Sequence, residues 1–302
     1  MDGIQPLHFL FFRFLTGFFL AGIYPVGMKI ASDYYQEGLG KSLGFLVGAL
    51  VMGTAFPHLV KNFTLGFSWE YVVYATTFLS VIGGIGVFAF VPNGPYRRTG
   101  QKMNFRTFTK SFRSQGFRAV AFGYFGHMWE LYTFWTFVPL MLNTHRSVYP
   151  ENQLNVSMWS FFIIASGAVA CVGSGLLSQH VGVKRTATLA LSLSGLCCLL
   201  SPFFLFVPSS FLFVGFLVFW GIVVVADSPL FSTLVAQHAQ KETRGTSLTI
   251  VNCIGFSITI LSIQCLRFFM DKIDNHYLYL LLAIGPLAGL VALLKKKEGL
   301  LF

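Results

Sequence analysis

Charge is what this sequence has least of. Asp, Glu, Lys and Arg make up 11% of its residues, against roughly 25% in a soluble domain. Over 302 residues, 55% are hydrophobic and the mean hydropathy is +0.68. That balance excludes a soluble globular protein, which has no way to keep so much apolar surface out of water. Metal-ligand and disulfide spacings are missing as well. The five cysteines, Cys171, Cys197, Cys198, Cys253 and Cys265, lie inside apolar runs and read as small core residues. No metal and no other cofactor is expected. The net charge of +10 does not point to nucleic acid, because the basic residues sit beside apolar runs and not along one soluble face. A secretory leader is not expected either: Asp2 precedes the first basic residue, Arg13, and the opening apolar run continues to about Ile30.

What is there is a series of membrane-length runs. A helix needs about 20 apolar residues to cross a bilayer. Nine stretches qualify: Leu7–Ser32, Ser42–Val60, Val72–Val91, Val120–Leu142, Trp159–Leu177, Thr188–Val207, Phe211–Val235, Leu248–Phe269 and Tyr277–Leu294. The short connections make neighbouring helices antiparallel, and the expectation is an all-α polytopic bundle in the lipid bilayer.

Lys and Arg collect on cytoplasmic loops. One side receives Lys29, Lys41, the run Arg97, Arg98, Lys102, Arg106, Lys110, Arg113 and Arg118, then Lys184, Arg185, Lys241, Arg244 and Lys295, Lys296 and Lys297, sixteen in all. The other side has four, Lys61, Arg146, Arg267 and Lys272. The C-terminus is therefore expected in the cytoplasm, in an inner (plasma) membrane.

An internal repeat organises the spans. Placing Pro25 on Pro229 also places Gly17 on Gly221. With a one-residue gap, Gly40, Ser42 and Leu43 fall on Gly245, Ser247 and Leu248. The first three spans thus resemble the last three. Residues 1–91 are expected to form part of an N-terminal bundle, 92–118 a basic cytoplasmic linker and 119–302 a six-helix bundle. About three further helices are expected ahead of Met1.

Two such halves joined by a basic loop resemble the major facilitator superfamily, whose halves are repeats around a midplane site. "RFLTGFFLAG" looks like the family's fourth-helix motif, through Arg13 and Gly17, with Thr16 where glutamine is usual. "GLLSQHVGVKR" looks like the second-half gating signature, through Gly175, Leu177, Gly182, Lys184 and Arg185, with Gln179 in place of the usual Asp. Asp33 resembles the acidic helix-four residue of the inner gate. The resemblance implies a 6+6 fold and a proton-coupled secondary transporter of a small polar or anionic solute, working by alternating access and as a monomer once all helices are present. The family's Gly-Pro antiporter motif is not matched by "GFLVGALVMGTAFP", which favours symport or uniport.

Ionisable groups inside spans are the site candidates. Gly123, His127, Glu130 and Phe134 are spaced 4, 3 and 4 apart and share a helix face. His127 and Glu130 can pair with each other as a coupled proton site, or act only as a structural lock. Arg13 and Tyr24 share a face of the first span, for coupling or for an anionic substrate, and Arg13 has snorkelling as its alternative. Asp227 stands beside the break expected at Pro229, which frees the Val225 carbonyl, as a second proton site, a partner for Arg13 or part of a plain kink. Asn252, Gly255, Thr259 and Ser262 form a polar stripe, for the pathway or for helix packing. Two other outcomes stand beside the transporter: a non-transporting remnant of such a carrier, and a membrane enzyme using His127 and Glu130.

Overall fold

The computed structural model describes residues 6–35, 38–64, 68–97, 112–239 and 244–295. Most of the expected basic linker (98–111), Lys241, Lys296 and Lys297 lie outside the described residues.

Within them every regular element is helical: α1 Pro6–Ala21, α2 Ile23–Tyr34, α3 Leu39–Phe63, α4 Glu70–Phe90, α5 Gln115–Val148, α6 Val156–Val181, α7 Val183–Phe204, α8 Ser210–Ala226, α9 Ser228–His238, α10 Arg244–Phe269, α11 Asn275–Leu278 and α12 Ile284–Leu294. A 3-10 turn, Tyr279–Ala283, joins the last two. Eight stretches are long and apolar enough to cross a membrane, counting α1 with α2, α8 with α9, and α11 to α12 as one each. The remaining long helix, α5, has 34 residues and carries His127, Glu130, His145 and Arg146, which make it more polar than the rest.

Local chemistry sets several helix ends. Asn155 caps α6 by accepting the Met158 N–H at 3.0 Å, and Gly182 turns the chain from α6 into α7 at φ +95°, a conformation that a side chain would strain. Pro229 supplies no N–H to the Val225 carbonyl four residues earlier. The helix breaks there at Asp227, and the Asp227 N–H and the Cys171 thiol, at 3.5 Å, turn to that carbonyl instead. The first span breaks at Gly22, within one residue of the equivalent point once Pro25 is set on Pro229.

Small residues bring the central helices close. Gly40, Gly44 and Gly48 line the α3 face that meets α6: a β-carbon at Gly44 would stand 2.7 Å from the Cys171 carbonyl, and one at Gly175 2.8 Å from the Gly40 carbonyl. Gly126 of α5 lies against the Gly285 carbonyl of α12 in the same way. These approaches make α5 the axis of the assembly, with α6, α8, α9, α10 and α12 around it. α4 buries none of its residues and α1 turns Leu7, Phe11, Phe14, Phe18 and Phe19 outward. Apolar side chains lose nothing by facing lipid.

Candidate functional site

His127 comes from the middle of α5 and Asp227 from the break between α8 and α9, and both are at most 1% exposed. His127 Nδ1 lies 2.8 Å from Asp227 Oδ1. The contact is close but lacks hydrogen-bond alignment, since neither Asp227 oxygen has an aligned donor among the described residues, and His127 Nε2 has no partner there either. Tyr124 and Phe231 pack beside the imidazole, with ring centroids 6.0 Å and 5.9 Å from it and 6.5 Å from each other.

Glu130, one turn further along α5, has the opposite surroundings. Its carboxylate accepts from Trp220 Nε1 at 2.7 Å, Ser194 Oγ at 2.9 Å and Cys198 Sγ at 3.2 Å. It therefore ties α5 to α7 and α8. The expected His127–Glu130 hydrogen bond is corrected accordingly: each side chain has its own partners on other helices. Asp227 and Glu130 are close enough to feel each other's charge, as are Asp227 and Cys171. The three acids and bases make one cluster, which no helix could display by its own spacing.

The other sequence candidates divide clearly. Tyr24 is half-buried on α2 and reaches toward Ser232 and Ser228 of α9, beside Asp227. Arg13 does not join it. Its guanidinium lies 5.2 Å over the Phe9 ring on the outward face of α1, so it neither pairs with Asp227 nor enters the cluster. Thr259 donates to the Gly255 carbonyl at 3.1 Å and meets Met128 O at 3.4 Å, and Ser262 bonds Thr133, so that part of the stripe packs α10 on α5. Asn252 is 3% exposed and its Nδ2 has no partner among the described residues.

Several of the residues expected at the gate make contacts near the ends of their helices. Asp33 pairs with Lys29 at 2.6 Å, and its carbonyl receives the Tyr96 N–H at 3.0 Å, while the Tyr34 hydroxyl donates to Pro92 O at 2.6 Å. Gly175 gives α3 its close approach. Gln179 lines a cavity of about 300 Å³ with Gly38, Leu39, Ser178, Thr233 and Gln237. Lys184 and Arg185 are exposed in the first turn of α7. Among the described residues, no group of His, Cys, Asp and Glu has the arrangement of a metal site.

Sequence reasoning missed Trp220, Ser194 and Cys198. Ser194 and Cys198 are four apart and share a helix face, the one signal that marked them.

A helical membrane protein with a buried acid–imidazole cluster at a proline break has the construction of a carrier. The family model of the Major Facilitator Superfamily matches residues 4–263, and the chain belongs to that superfamily. It is an integral membrane protein of a transporter superfamily. Among curated proteins, none matches the chain.

Proposed function

We propose that this chain is a secondary active transporter that moves a small polar solute by alternating access, coupled to protons through His127, Asp227 and Glu130. The spans of α1 to α4 belong to one bundle and those from α5 to α12 to a second, six-span bundle of a 6+6 fold, with the C-terminus in the cytoplasm. The observation that carries the reading is the unequal hydrogen bonding of the two buried carboxylates. Glu130, with three donors, is held in place through the cycle. Asp227 has hydrogen-bonding capacity left over, and a buried polar group in that condition is costly unless a proton or ligand fills it. Binding a proton there and releasing it when the bundles rock supplies the coupling.

Arg13 had been the reason to expect an anionic solute, and its outward position withdraws that support.

Infrared difference spectroscopy of the purified full chain through a pH titration tests the proton site. Of the carboxyl C=O bands that appear on acidification, one is expected to be lost in Asp227→Asn. In Glu130→Gln the band persists but its midpoint moves to lower pH, because removing a nearby negative charge weakens proton binding. An Asp227→Asn spectrum that keeps every titrating carboxyl band of wild type overturns the reading.

A further inference from the structure

The cluster's charge inventory says what kind of solute it accepts. Its groups are two carboxylates, Asp227 and Glu130, and one imidazole, His127. The buried residues of the described chain include no Lys and no Arg. From α5, His127, Glu130 and Tyr124 surround Asp227; from α6, Cys171; from α2, Tyr24; from α9, Ser228, Phe231 and Ser232. None of these can neutralise a second negative charge except His127, which Asp227 already holds.

At an effective dielectric of about 20, a unit charge about 4 Å away alters binding by roughly a thousandfold. An anionic solute meets that factor as a loss and a cationic one as a gain. The walls act in the same sense. Tyr124 and Phe231 lie beside the imidazole and beside each other, with ring centroids 6.5 Å apart, and aromatic faces attract cations. The Tyr24 hydroxyl and the Ser228 and Ser232 hydroxyls offer acceptors to ammonium hydrogens.

We infer that the transported solute carries a cationic head, a protonated amine or similar onium group, which takes the place of the His127 imidazole against Asp227. This rests on the transporter reading given above and adds the substrate class. An ammonium bound there satisfies the Asp227 oxygens that have no aligned donor among the described residues.

The test uses the purified full chain in detergent micelles at neutral pH with benzylammonium, tetraethylammonium, benzyl alcohol and benzoate as probes. Thermal stabilisation and the dissociation constants from ligand titration are the readouts. The cations are expected to raise Tm, and to bind at least about a hundredfold tighter than benzoate, with benzyl alcohol between. Benzylammonium is expected to bind His127→Gln at least as tightly as wild type, because no imidazole then has to be displaced from Asp227. Asp227→Asn abolishes the preference, and Arg13→Gln leaves it intact. The wild-type comparison among probes needs no variant and so survives a folding failure. Stabilisation by benzoate above the cations, or no stabilisation by either cation, overturns the inference. If the infrared carboxyl titration persists in that case, proton coupling stands and only the substrate class falls. If the titration is absent while the cations bind, the coupling falls and the cation site stands.

Discussion

His127 Nδ1 and Asp227 Oδ1 are 2.8 Å apart although the residues come from different helices, and both are almost completely buried. Breaking such a pair leaves one buried polar group uncompensated, at a cost of about 3–5 kcal/mol. His127→Leu and Asp227→Leu are each expected to lower the stability of the detergent-solubilised protein by that order. The double variant is expected to lose less than either loss added to the other. A double-mutant cycle by thermal or denaturant unfolding measures the difference, and strictly additive losses count against a direct interaction.

Two glycines of α3 separate packing from composition. A β-carbon at Gly44 meets the Cys171 carbonyl at 2.7 Å, whereas nothing lies within 4 Å of one at Gly53. Gly44→Ala is expected to push α3 from α6 and destabilise by about 1–3 kcal/mol. Gly53→Ala stays within about 0.5 kcal/mol of wild type or gains slightly from helix propensity. Comparing the two Tm values on one preparation checks both.

Pro229→Ala restores an N–H to the position facing Val225 O, where the Cys171 thiol now stands at 3.5 Å. A continuous helix through Asp227 is expected, with stability unchanged or raised by about 1 kcal/mol. Asp227 then turns away from His127, and the titrating carboxyl band shifts or disappears. An unaltered band in Pro229→Ala would show that the break does not position the carboxylate.

Outside the spans, the Asp274 carboxyl is held below its ordinary value of 3.8, first by the His276 N–H and then by its ring. A depressed acid stabilises the fold above its unfolded pKa and loses that contribution as the pH falls through the folded one. The Tm difference between wild type and Asp274→Asn is therefore expected to be present at about pH 6 and to shrink below about pH 4. A difference that grows in acid reverses the assignment.

The spans were legible because apolar length is a local property. The stretch Val72–Val91 was expected, and α4 occupies Glu70–Phe90. The break at Asp227 was legible for the same reason, since a proline four residues on frees a carbonyl wherever it occurs in a helix. The partners of His127 and Glu130 were not. Their three-residue spacing puts them on one face and suggests a pair, yet Asp227, Trp220, Ser194 and Cys198 approach from three other elements and take both. Cys198 read as a small apolar residue because nothing in its own span shows a carboxylate.

By itself the sequence determined a helical membrane protein with proline-broken helices and a few ionisable groups inside its spans, because hydropathy and proline act over a few residues of chain. Tertiary structure alone decided which buried acid is satisfied and which is left open, and that Arg13 stands apart from both. Those outcomes depend on which helices cross closely, as α5 and α9 do at Gly123, where a β-carbon would stand 2.6 Å from the Phe231 ring.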